Sequence, residues 1–142
     1  CGYCKSVLET IRQILSEDTG IRFVLKEYPI LSEGSEFAAR AALASVRQDR
    51  YFEFHNALME IRGQVNKERV MEVAVEIGLD VARLKDDMAD ENIDAQLQSN
   101  RELAQSLNIN GTPTFVLGDR IIPGAVDDDT LRELIEEIRI NG

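Results

Sequence analysis

Val7, Leu8, Ile11, Ile14 and Leu15 recur three and four positions apart, and Gly20 follows an acidic turn. Side chains at that spacing share one face of a helix, so the pattern predicts an amphipathic helix over residues 3–17. Residues 21–28 form a short apolar-rich run closed by Pro29, which predicts a strand of about seven residues. From residue 35 to 107 the period stays near 3.6, with Gly and Asn between segments, and the reading is a block of helices. Residues 37–46 are Ala-rich and 51–61 aromatic-rich, while Val70, Val73, Ala74 and Ile77 make a third stripe ended by Gly78. Asp80 is placed to cap a short helix carrying Leu84 and Met88, and Ile93, Leu97, Ala104 and Leu107 mark a longer one. Strand patterning returns at residues 114–117 and 120–122, joined by Gly118-Asp119, which predicts a hairpin. A last helix carries Leu131, Leu134, Ile135 and Ile138, with capping groups at residues 127–130 and a capping box between Thr130 and Glu133. Strand-bearing ends around a helical middle give an α/β class.

The chain has 142 residues, 44% hydrophobic and 30% charged, which fits one globular domain. No apolar run approaches the roughly 20 residues a membrane helix needs, so no span is expected. Acidic side chains outnumber basic ones 26 to 16, and the net charge of -10 would repel phosphate backbones. A nucleic-acid role is not expected, and the acids read as a solvated surface.

The 2 cysteines are Cys1 and Cys4, at the start of the first predicted helix. Residues three apart on a helix share a face, and their Cα atoms are close enough for a disulfide. The first cysteine of such a pair faces the unpaired N–H groups and positive dipole end of the helix, which favour thiolate. Cys1 is then the nucleophile and Cys4 the resolving thiol, and thiol–disulfide exchange between them and a partner needs no cofactor. Lys5 adds positive charge nearby or is an ordinary exposed helix lysine. A metal site would need about four ligands, and the chain offers one Cys-x-x-Cys pair and a single distant histidine, His55, so no metal is expected. A purely structural disulfide stays open, although so short a loop constrains the unfolded chain little. A lipid-modified terminal cysteine, or one using its own α-amine as base, also stays open but leaves Cys4 without a part.

Cys1-Gly2-Tyr3-Cys4 with Lys5, together with Gly111-Thr112-Pro113-Thr114-Phe115 far downstream, resembles the DsbA-like branch of the thioredoxin superfamily. The resemblance implies a thioredoxin-like fold with a core at residues 1–34 and 108–142 and a helical insertion at about 35–107, together one domain. It implies a cis-proline at Pro113 opposite the dithiol, a substrate-docking role for Gly2, Tyr3, Thr112 and Pro113, and a proline ring that keeps metals from the thiols. Residues 51–59 resemble the aromatic first helix of the insertion, where His55 reads as a packed or hydrogen-bonded structural residue. Members of this family carry a strand segment before the dithiol. Nothing precedes Cys1 here, so that N-terminal strand segment is expected to be missing through truncation, processing or an incomplete chain.

The resemblance also implies a protein thiol-disulfide oxidoreductase, acting on substrate proteins with thiols or disulfides and reset by a redox partner protein. A monomer in the bacterial periplasm or cell envelope is expected, where paired reactive cysteines are at home. Gly2-Tyr3 and Thr112 resemble the disulfide isomerases, whereas the helical insertion resembles the oxidases, so an isomerase or reductase is the alternative. Two further readings are a redox-silent thioredoxin-like binding or chaperone module and a glutathione-transferase relative.

Overall fold

The computed structural model describes residues 1–141, in two compact units: Cys1–Leu25 with the segment from Asn108 onward, and Lys26–Leu107. The first contains helix α1 (Gly2–Glu17), an antiparallel hairpin of β1 (Thr114–Leu117) and β2 (Arg120–Pro123), and helix α7 (Asp128–Asn141). Phe115 stands opposite Ile122 and Leu117 opposite Arg120. Period-two alternation turns Phe115, Leu117 and Ile122 to one face. There they pack on Ile14, Val126 and Leu131, which are buried, and on Ile21 and Ile135. Ion pairs from Arg132 to Glu17 at 2.8 Å and from Arg139 to Asp18 at 2.8 Å join the ends of α7 and α1 at the surface.

The second unit is all-helical: α2 (Glu33–Ala44), a 3₁₀ turn (Ser45–Gln48), α3 (Tyr51–Met59), α4 (Lys67–Glu76), α5 (Val81–Asp87) and α6 (Glu91–Ser106). Helix α2 is its axis and touches the other four helices. Its buried face is Ala39, Ala41, Ala42 and Ala44, small enough for Phe54, Val70, Leu84 and Leu97 to close over it. Each of those larger side chains contributes about 1.5–3 kcal/mol on leaving water. At the start of α2 the approach is tighter still. A Cβ on Gly34 would lie 1.9 Å from the carbonyl oxygen of Val65.

Side chains cap nearly every helix. Ser32 accepts from Ser35 N–H at 3.1 Å, Asn66 from Arg69 N–H at 2.8 Å and Asp80 from Arg83 N–H at 3.0 Å. Asp90 accepts from Asn92 N–H at 2.9 Å. Helix α4 ends in a Schellman turn: Gly78 has φ of 79°, its N–H reaches the Val75 carbonyl, and Leu79 N–H reaches the Ala74 carbonyl.

A buried polar cluster ties the segment entering this unit to its helices. Glu27 Oε1 accepts from the Tyr51 hydroxyl at 2.7 Å and lies 2.8 Å from His55 Nδ1, while the Glu27 carbonyl accepts from Asn100 Nδ2 at 2.9 Å. His55 and Asn100 are only 7% and 5% exposed. Burial, and then the Glu27 carboxylate beside it, pushes the Tyr51 phenol above its ordinary range, so it stays a donor.

Three sequence expectations change. Residues 21–28 form no strand, because a strand needs a neighbouring edge and among the described residues β1 and β2 pair only with each other. Helix α2 starts at Glu33, just ahead of the helical block expected from about residue 35, since the Ser32 hydroxyl supplies a cap upstream of the Ala-rich run. The cap of α7 is Asp127, whose Oδ1 accepts from Thr130 N–H at 2.8 Å; Thr130 lies inside the helix and does not open a capping box with Glu133.

Two glycine substitutions should separate by cause. Gly78→Ala meets no atom within 4 Å and should cost only the left-handed backbone term, about 1–2 kcal/mol. Gly34→Ala should cost more, about 3 kcal/mol, despite alanine's better helix propensity, because α2 must move off Val65. Urea denaturation with unchanged m-values would measure both, and equal costs would refute the close-approach account. By the same measurement Glu27→Leu, which strands two buried donors, should lose about 2–4 kcal/mol, whereas Tyr51→Phe should lose about 1 kcal/mol.

Candidate active site

The N-terminus of α1 is capped by a sulfur. Cys1 is the cap residue, and its Sγ accepts from Cys4 N–H at 3.1 Å, in the position where Ser, Asn or Asp oxygens serve five other helices. Cys1 and Cys4 form a disulfide across a Cα separation of 5.2 Å. Both are partly buried, whereas Gly2 and Tyr3 between them are exposed, Tyr3 by 71%. A Cβ on Gly2 would meet nothing within 4 Å. The ring closed by the disulfide is thus covered on its outer side by little more than backbone.

The loop entering β1 lies against the same sulfur. Thr112 carbonyl oxygen is 3.3 Å from Cys1 Sγ, and Thr112 Oγ1 is 3.5 Å from it. The Thr112–Pro113 peptide is cis. The Pro113 carbonyl accepts from Gly124 N–H at 2.8 Å, which ties this loop to the end of the hairpin. Of the six residues singled out from sequence, Cys1, Cys4 and Thr112 come into contact around one sulfur, Pro113 follows directly, and Gly2 and Tyr3 border it.

The contacts of Cys1 differ in sign with its chemical state. In the disulfide Sγ carries no proton, so the Thr112 carbonyl merely lies beside it, while Cys4 N–H and the Thr112 hydroxyl direct positive hydrogen toward it. Once the disulfide is reduced, those two donors and the end of the helix dipole stabilise thiolate. Sequence reasoning gave Thr112 a docking role only; its hydroxyl as a second donor to sulfur has no sequence signal. Glu27 was also missed as the partner of His55, although a lone carboxylate inside the apolar run of residues 21–28 was the available hint. Among the described residues no group of three or more His, Cys, Asp or Glu side chains is arranged to hold a metal ion, and no helix is long and apolar enough to cross a membrane.

The family model described as DSBA-like thioredoxin domain matches residues 1–136. The crystal structure of a thioredoxin-like oxidoreductase from Silicibacter pomeroyi DSS-3 is 40% identical, covers 99% of this chain and 81% of its own, and superposes with a TM-score of 0.96. The thiol-disulfide exchange protein alpha-DsbA2 from Wolbachia pipientis is 30% identical over 97% of this chain and 76% of its own, with a TM-score of 0.90. A curated relative, the Na(+)/H(+) antiporter NhaA 1 of Salinispora arenicola (strain CNS-205), is 26% identical over 133 residues, which is 92% of this chain and 20% of the antiporter. The chain therefore spans a fifth of that relative's length. The fold is the thioredoxin-like DsbA fold, mostly helical with a small sheet. A family model that runs over nearly all of the sequence, joined to a superposition of this quality, places the protein in the DsbA-like thioredoxin domain family.

Proposed function

We propose that the chain is a protein thiol-disulfide oxidoreductase working through the Cys1-Gly2-Tyr3-Cys4 dithiol. The observation that carries the reading is the environment of Cys1 Sγ: a helix N-terminus, the Cys4 N–H at 3.1 Å and the Thr112 hydroxyl at 3.5 Å. In the oxidising direction a substrate thiolate attacks Cys1 Sγ, the Cys1–Cys4 bond breaks, and Cys4 leaves as thiolate. A second substrate thiolate then attacks the substrate sulfur of the mixed disulfide and expels Cys1 thiolate. The substrate loses two electrons and two protons, and the dithiol gains them; a redox partner protein reverses that change to reset it.

Substrate docking falls to the backbone of Thr112, since the Pro113 carbonyl is already taken by Gly124 N–H. Gly2 supports the same role, because its open face lets an extended segment approach the disulfide, and the exposed Tyr3 ring supplies apolar contact beside it. Pro113 orients that docking edge. Residues 1–142 work as one DsbA-like domain, its helical block at about 35–107 being the insertion, and the protein acts outside the cytoplasm, in the periplasm or cell envelope, as a monomer.

Two experiments test this. With Cys4 replaced by serine, Cys1 should retain substrate as mixed disulfides, releasable by dithiothreitol, from an extract of secreted proteins. If none form, and the wild-type dithiol stays inert across a glutathione series, the chain is a redox-silent binding module instead. In the reduced protein Cys1 should ionise below the ordinary thiol value of about 8.5. Thr112→Val, which removes the hydroxyl donor at nearly constant shape, should raise that value by up to about one unit. Thiolate ultraviolet absorbance against pH reads both, and an unshifted Cys1 would refute the proposed environment.

A further inference from the structure

We propose that Asn110-Gly111 is a site of spontaneous succinimide formation, where the chain converts itself to aspartate and isoaspartate and thereby weakens the neighbouring dithiol as an oxidant. The conversion at Asn110 stands on its own geometry; its effect on Cys1 rests on the oxidoreductase reading above.

In this chemistry the backbone nitrogen of the following residue attacks the asparagine side-chain carbon. Three conditions favour it: no side chain on the following residue, no hydrogen bond holding its N–H, and a backbone free to bend. Asn110 and Gly111 are both exposed, in the loop between α6 and β1. A Cβ built on Gly111 would meet nothing within 4 Å, and among the described residues no acceptor faces the Gly111 N–H. The Gly111 carbonyl, by contrast, is held by the Thr114 hydroxyl at 2.8 Å, which fixes the downstream peptide and leaves the attacking nitrogen free. The Asn110 amide makes one long contact, donating to the Asn108 carbonyl at 3.2 Å.

Other asparagines lack this combination. Asn66 is a helix cap followed by Lys67, and Asn100 is buried against the Glu27 carbonyl. Asn56 and Asn92 lie within helices, and Asn108 precedes a β-branched residue, Ile109. Asn141 also precedes a glycine, but it belongs to α7, and its amide donates to the Glu137 carbonyl at 2.8 Å.

The reaction balances with water alone. Gly111 nitrogen gives its proton to hydroxide and bonds to Asn110 Cγ, the Cγ–Nδ2 bond breaks, and Nδ2 takes a proton from water to leave as ammonia, which returns the hydroxide. Water then opens the resulting ring. Cleavage of the new nitrogen–Cγ bond gives aspartate; cleavage of the original peptide bond gives isoaspartate, with Cβ now in the main chain. No atom changes oxidation state.

Both products add a negative charge two residues before Thr112, within about 8 Å of it along the chain and so within about one screening length at physiological salt. Isoaspartate also lengthens the backbone leading into the peptide whose oxygens lie 3.3 Å and 3.5 Å from Cys1 Sγ. Added negative charge disfavours the Cys1 thiolate, and displacement of Thr112 takes away a donor. Each effect destabilises the reduced form, and a less stable reduced form is a weaker oxidant.

The purified chain, incubated at mildly alkaline pH, should be peptide-mapped for isoaspartate residue by residue, and its equilibrium with glutathione compared before and after. Conversion should concentrate at Asn110, and the aged protein should shift about three- to tenfold toward the oxidised dithiol, a change of about 0.7–1.4 kcal/mol. Gly111→Ala should slow conversion at least about tenfold while leaving fresh exchange unchanged, since neither its backbone nor its surroundings require glycine. Asn110→Asp should reproduce the charge part of the shift without incubation. An Asn110 that stays intact, or that converts equally fast beside alanine, would overturn the site. Conversion at Asn110 with an unmoved glutathione equilibrium would overturn its effect on Cys1. A fresh dithiol that never exchanges would instead sink the oxidoreductase reading, and the peptide map would still decide the site.

Discussion

The bond from Cys4 N–H to Cys1 Sγ is the constraint around which the first unit is organised. Every α-helix leaves its first N–H groups without partners, and five other helices here answer with Ser, Asn or Asp oxygens. Sulfur is a weaker acceptor, so Cys1 gives up part of the stabilisation that a Ser or Asp cap would supply. In return, the first turn directs its positive end at an atom that can ionise. A local rule is relaxed at the one helix start where relaxation has a chemical use. It also explains the spacing: the residue whose N–H caps and the residue whose sulfur closes the ring are both Cys4.

The two units obtain their order differently. In the helical unit close approach is the organising device: the alanines of α2 and Gly34 against Val65 bring helices together, so larger side chains fill the space between them. The Glu27 cluster supplies directional bonds within that packing, and a buried carboxylate is tolerated because the Tyr51 hydroxyl and the His55 ring share one of its oxygens. In the unit that carries the site, a smaller core of Ile14, Val126 and Leu131 is supplemented by surface ion pairs between helix ends. Exposed pairs of that kind contribute little individually. The precision of the site therefore rests on the short hairpin and the first turn of α1, both fixed by backbone hydrogen bonds.

Legibility in the sequence followed the range of the interaction. Helix α1, the Gly78 stop, the Asp80 cap and the turn at Gly118-Asp119 are decided by residues within a few positions of each other, and all stand where the pattern put them. The strand predicted at residues 21–28 depends on a neighbouring edge, which composition does not encode. The cap of α7 fell between candidates three positions apart, Asp127 and Thr130, and only backbone direction decides between them. At the site, the two cysteines announced themselves by spacing. Thr112 could be named only through a family resemblance, because a contact across 111 positions leaves no periodic trace. Glu27 and His55, 28 positions apart, were invisible as a pair for the same reason.

The Thr112 contacts also bear on the direction of exchange. A protonated Cys1 thiol can donate to the Thr112 carbonyl at 3.3 Å, so that contact favours the thiol; once the proton leaves, the same carbonyl faces a negative sulfur and opposes it. The Thr112 hydroxyl and Cys4 N–H act in the other sense and favour thiolate. Gly2 and Tyr3 add no charge to either side. Beside the Cys4 N–H and the helix end, Thr112 thus acts on the same sulfur with opposite sign through its carbonyl and its hydroxyl. A small rotation of the Thr112 peptide would weight one against the other.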